Sequence, residues 1–206
     1  MIFFRMISSI LLTLILVTSC RDNIISEAGF KNNFNLSWTN EFAYSSSYSL
    51  KIEFEYLPND IFSPVNQSIN RNEAYWYQTI NASSLILQNI RLSAAIKLEN
   101  VGGEGVSFEI LAYNSNNEIV SSISSIRWMK ILGTKNWKRY NLDLSGVPRS
   151  TQTIVVKLKI SKPTTKGAVY FDDVMLSANQ VDNYLINSDL ETGHVEPDSW
   201  FGQVIE

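Results

Sequence analysis

Two adjacent aspartates, Asp172 and Asp173, stand in GAVYFDDVMLS, residues 167 to 177, a run otherwise made of strand-forming residues. Neighbours on a strand point to opposite faces, so alternation sends one carboxylate toward the core, where an uncompensated charge is costly. Paired carboxylates can act as general acid and base. Glycosidic chemistry, however, needs the two flanking one bond, about 5 to 10 Å apart in a shared cleft, and strand neighbours face apart. A bulge is the structural alternative, turning both toward solvent or toward backbone N–H groups.

The other reactive residue types are sparse. His194 is the sole histidine, lies in HVEPDSW, and has no neighbours in sequence that would complete a metal centre. Gly102-Gly103-Glu104-Gly105 reads as a hairpin turn between strands and not as a phosphate loop. No serine sits in a Gly-x-Ser-x-Gly elbow. With 17 Lys and Arg against 20 Asp and Glu, the chain has a formal charge of −3 and no basic stripe, which argues against nucleic acid as a partner.

The start of the chain reads as an export signal. MIFFRMISSILLTLILVTSC carries one early positive charge at Arg5, an apolar run from Ile7 to Val17, and small residues before Cys20. Val17-Thr18-Ser19-Cys20 resembles the lipobox of bacterial lipoproteins, in which cleavage precedes the cysteine and acyl chains are attached to it. Cys20 is also the only cysteine, so it has no disulfide partner within the chain. The resemblance implies residues 1–19 as signal peptide, 20–27 as a lipidated linker, and stable membrane attachment through the acyl chains. In a Gram-negative host the resemblance, with Arg21 and not aspartate after the cysteine, implies sorting to the outer membrane.

Beyond the signal, roughly 187 residues remain, enough for one domain with a proper core. Period-two patterns run through them. IRLSAAIKL (90 to 98) puts Ile90, Leu92, Ala94, Ile96 and Leu98 on one face; VSFEILAY (106 to 113) does so with Val106, Phe108, Ile110 and Ala112. TIVVKLKIS (153 to 161) follows with Ile154, Val156, Leu158 and Ile160. Turn residues close each run, and no amphipathic helix follows the signal. The fold class expected is all-β, an antiparallel β-sandwich.

The order of the strands carries a resemblance. SYSLKIEFE, YWYQTI, IRLSAAIKLEN, GVSFEILAYN, WKRYNLDLSGVP, TIVVKLKI and VYFDDVMLS succeed one another much as in the jelly-roll carbohydrate-binding modules of the cellulose- and xylan-binding type. These belong to the galactose-binding-like sandwiches. The likeness covers residues 28–178. It implies a structural calcium, held by the aspartate pair of the last strand with a carboxylate and backbone oxygens of the first, so Asp172 and Asp173 are its candidate ligands. The family carries an acidic residue after the Gly-Phe of the first strand; here Gly29-Phe30 is followed by Lys31.

A binding module for polysaccharide or glycan needs stacking platforms ringed by polar groups. The candidates are Trp76 with Gln78 in YWYQT, Glu109 and Tyr113 in VSFEILAY, and Arg127 with Trp128 in SSIRWMK. Alternation separates Trp76 and Gln78 from Tyr75 and Tyr77, so only one pair faces a cleft. Trp76 or Trp128, with Arg127 nearby, is the expected platform. Aromatics are also ordinary sandwich core, and Arg127 equally suits a solvated edge strand.

NYLINSDLETGHVEPDSWFG (183 to 202) resembles the opening of another jelly roll of this type, with Leu185, Asn187, Asp189, Glu191, Gly193, Pro197 and Trp200 on the pattern. Residues 179–206 are therefore read as a linker and the start of a second, truncated jelly roll, the alternative being an extra strand packed back on the first. Together these features describe an exported, lipid-anchored, monomeric module that binds a glycan without turnover. Two other readings stay open: a structural or adhesion sandwich that binds no sugar, and the N-terminal part of a glycoside hydrolase or lyase.

Overall fold

The apolar sets that alternate in the sequence line one interior. Leu92, Ala94 and Phe108, Ile110, Ala112 and Ile154, Val156, Leu158, Ile160 are all fully buried. The structure, a computed structural model, describes residues 31–57, 72–179 and 182–205. The signal segment, Cys20 and Gly29-Phe30 lie outside the described residues.

Ten strands are present among the described residues: β1 (Lys31–Thr39), β2 (Ser49–Leu57), β3 (Glu73–Asn81), β4 (Ile90–Tyr113), β5 (Ile119–Ser124), β6 (Ile131–Leu144), β7 (Thr153–Ser161), β8 (Gly167–Ala178), β9 (Asp182–Asn183) and β10 (Phe201–Ile205). All pairings are antiparallel. The helical content of the described residues is one 3-10 turn, Ser125–Arg127. The protein is thus the all-β antiparallel sandwich that the alternation predicts, with an apolar layer between two sheets.

β4 belongs to both sheets. Its first half, from Ile90, pairs with β8 and β6, and its second half, from Gly105, pairs with β7 and β5. The first sheet therefore runs β1-β2-β8-β4-β6, and the second β10-β3-β7-β4-β5. This corrects the hairpin expected at Gly102-Gly103-Glu104-Gly105. The chain bends there from one sheet to the other, with left-handed backbone at Asn100, Gly103 and Gly105. Gly103 is required by space as well: a Cβ on it would lie 1.9 Å from the carbonyl oxygen of Lys162.

Residues 182 to 205 do not stand apart from this sandwich. β9 pairs with the end of β8, the Val174 N–H donates to the Ser188 carbonyl at 3.0 Å, and β10 adds an edge strand to β3. The tail thus occupies the position of an extra strand, and the reason is apolar: Leu185, Leu190 and Trp200 are buried in the common core. Trp200, 1% exposed, contributes about 1.5 to 3 kcal/mol by its burial. Polar clips hold the rest. Trp38 Nε1 donates to the Leu190 carbonyl at 2.8 Å, and Glu191 Oε1 accepts the N–H groups of Ser47 and Tyr48.

Candidate ligand-binding face

The outer face of the second sheet carries the polar and aromatic residues that the inward set leaves behind. Register aligns them in rows across the strands. One row reads Phe201, Tyr77, Lys157, Glu109, Ser124; the next reads Gln203, Tyr75, Lys159, Ser107. All come from alternate positions of strands whose intervening residues fill the core.

Two shallow depressions open along this face, of about 320 and about 280 Å³. The turn Ser125–Arg127 stands between them: Ile126 lines the larger, while Arg127 and Trp128 line the smaller together with Glu109, Ser122 and Ser124. Ser125 fixes that turn, since its Oγ accepts the Phe108 N–H at 3.0 Å and its carbonyl accepts the N–H groups of Trp128 and Met129. The Trp128 indole is left 64% exposed.

Lys159 joins the two depressions electrostatically. Its Nζ lies 2.9 Å from Glu109 and 3.3 Å from Glu73. Burial by itself lowers the amine, but the two carboxylates outweigh it and hold Lys159 above the ordinary lysine value. Glu109 also accepts from Ser124 Oγ at 3.0 Å. Tyr75 donates its hydroxyl to Gln203 Oε1 at 2.6 Å under the Lys157 amine, which sits 4.0 Å over its ring; burial, with Glu73 nearby, raises the Tyr75 phenol. The hydroxyl of Ser107, buried beside Lys159, has no hydrogen-bond partner among the described residues.

The residues expected from the sequence divide. Glu109, Arg127 and Trp128 meet at one depression. Tyr113 lies on the same face, four residues further along β4 and opposite Thr153, outside that depression. Trp76 and Gln78 face inward, a correction to the expected platform. Trp76 is 3% exposed in the core, its Nε1 donating to the Lys51 carbonyl, and Gln78 is 2% exposed beneath the tail. The physical reason is the register of β3 between β7 and β10, which puts Tyr75 and Tyr77 outward. Phe201, Gln203, Lys157 and Lys159 share this outer face, and nothing local to them in the sequence marks it.

The aspartate pair is resolved by a bulge. Ser93 and Ala95, two residues apart on β4, face Met175 and Asp172, three apart on β8, so one extra residue is inserted beside Asp173, whose φ is +46°. Phe171 and Val174 both stay inside, and both carboxylates stay out of the apolar core. Asp172 is covered by the loop before β2: its oxygens accept the N–H groups of Tyr44 at 2.6 Å, Ser45 at 3.2 Å and Asp173 at 2.6 Å, and the Ser46 hydroxyl. Burial pushes the Asp172 carboxyl up against these donors. Asp173 pairs with Arg139. The two expected ligands thus have their oxygens met by N–H donors and a guanidinium in this structure. Among the described residues, no three His, Cys, Asp or Glu side chains are grouped to hold a metal ion.

Comparison with known proteins gives likeness at the level of fold. No family model matches the chain, and no curated protein matches it in sequence. Among solved structures, it is similar to the enzymatically active domain of a bacteriophage CBA120 tailspike protein, with TM-score 0.49 and 13% identity over 72% of this chain. The match spans 19% of that protein. It is similar to a family 16 carbohydrate-binding module, with TM-score 0.46, 13% identity, and coverage of 70% of this chain and 86% of the other. The CBM22-1 xylan-binding domain of a Paenibacillus barcinonensis protein gives TM-score 0.40 and 14% identity, covering 75% and 88%.

Proposed function

We propose that the outer face of the second sheet binds a polysaccharide or glycan non-covalently, without turnover. The observation that supports this reading is Trp128. A large indole left 64% exposed at the rim of a depression, beside the carboxylate of Glu109, the guanidinium of Arg127 and the hydroxyls of Ser122 and Ser124, matches what a sugar presents. The apolar ring face stacks on the indole, and the hydroxyls around its edge bond the polar groups. Lys159 pairs with both Glu73 and Glu109, Lys162 meets Glu104 at 2.7 Å, and Lys157 and Arg127 lie on the same face, so acidic and basic groups are mixed there, which favours an uncharged chain.

The lipobox-like segment ending at Cys20 extends the proposal: the protein is exported and anchored by acyl chains at the outer membrane, holding glycan near the cell. A glycan array probed with the full-length protein and with Trp128→Ala tests the face. Retention on one polysaccharide class by the wild type, lost in the variant with an unchanged melting temperature, is the expected result; equal retention by both overturns the assignment. Incorporation of labelled palmitate, abolished by Cys20→Ser, tests the anchor.

A further inference from the structure

The ligand face has a second rim, and the tail builds it. In β10, Phe201 pairs with Tyr77, Gly202 with Trp76 and Gln203 with Tyr75. A Cβ on Gly202 would come within 2.8 Å of Leu36 Cδ2 and 3.3 Å of the Trp76 ring, so a glycine lets this strand close over the core. Alternation then turns Phe201 and Gln203 to the outer face. Phe201 is 54% exposed, its ring centroid 5.6 Å from that of Tyr77, which lies 5.9 Å from Tyr75. Phe201 and Tyr77 thus form an aromatic pair on the outer face at the edge of the sheet.

We propose that Phe201 and Tyr77 form a second stacking platform of the same site, so that the tail decides how long a glycan the protein recognises. The inference rests on the reading of the face as a glycan site. Between Phe201 and Ser124 the row crosses four inter-strand steps of about 4.8 Å, about 19 Å in all, several sugar rings long, and Trp128 lines the depression at the Ser124 end. Lys157 and Glu109 lie between the rims and offer a donor and an acceptor to hydroxyls in the middle of the chain. The ligand is an oligosaccharide lying across the strands and not a single terminal sugar.

Calorimetric titration of the full-length protein with cellulose-, xylan- and mannan-derived oligosaccharides of increasing length tests this. Wild-type affinity is expected to rise with length until a chain reaches both rims. Phe201→Ala should leave the shortest ligands unaffected and weaken the longest at least tenfold. Tyr77→Ala should behave alike, and Phe201→Tyr should retain wild-type behaviour. Trp128→Ala should weaken every length. If Phe201→Ala, folded as judged by its melting temperature, binds every length as the wild type does, the tail platform is overturned while the site at Trp128 stands. If the wild type binds none of the ladders, the glycan reading falls and takes this inference with it.

Discussion

Gln78 and Ile186 exchange two hydrogen bonds: the glutamine Nε2 donates to the Ile186 carbonyl at 2.9 Å, and its Oε1 accepts the Ile186 N–H at 2.8 Å. One buried side chain thus meets both backbone groups of a tail residue 108 positions away. Gln78→Leu keeps similar bulk and orphans both groups, so unfolding stability should fall by about 1 to 3 kcal/mol. Urea titration measures it; an unchanged midpoint would show that the clip contributes nothing.

Acid should loosen the tail at a second point. Burial raises the Glu191 carboxyl, but the N–H groups of Ser47 and Tyr48 outweigh it and hold the carboxyl below its ordinary value of 4.5. A carboxyl lowered by folding adds stability that is present above the ordinary value and is lost as pH falls through the folded value. Stability should therefore drop below about pH 4.5, and Glu191→Gln should flatten that limb of the curve. Parallel curves for the two proteins would exclude Glu191 as the source.

Asp172 works in the opposite sense. Its carboxyl is raised by burial, so the folded state holds its proton to higher pH than the unfolded chain, and the charge costs stability as pH rises through that window. Asp172→Asn removes the charge yet sets an amide N–H2 among N–H donors from Tyr44, Ser45 and Asp173, which should cost about 1 to 3 kcal/mol at neutral pH. Chelator should leave the melting temperature of the wild type unchanged; a fall on chelation would mean that a cation displaces these donors.

The two tryptophans expected to share one role should separate cleanly. Trp76→Ala empties a core position and should cost about 3 to 5 kcal/mol. Trp128→Ala removes an exposed ring and should stay within about 0.5 kcal/mol of wild type. Denaturant midpoints decide the matter, and similar losses for both would contradict the placement of Trp128 on the surface.

Much of the fold was legible in the sequence because a half-buried strand writes its burial into alternate residues. Ile90 to Leu98, Val106 to Ala112 and Ile154 to Ile160 mark their inner faces without help from the rest of the chain. The same rule put Glu109 opposite Phe108 and Ile110, and so on the outer face. Arg127 and Trp128, a charge beside a large ring after a polar strand, were legible as candidates, and the structure brings them to one depression with Glu109.

Alternation by itself divides a strand into two faces without saying which is inside, and in YWYQ both faces carry aromatics. Only pairing with β7 and β10 turned Trp76 and Gln78 in and Tyr75 and Tyr77 out. The crossing of β4 between sheets, the bulge that frees Asp172 and Asp173 from the core, and the tail strand bearing Phe201 likewise rest on contacts between distant segments, such as Tyr75 with Gln203, 128 residues apart. Local pattern determined which residues could be buried; packing of the two sheets decided which of them were, because burial belongs to the surface that covers a side chain and not to the residue itself.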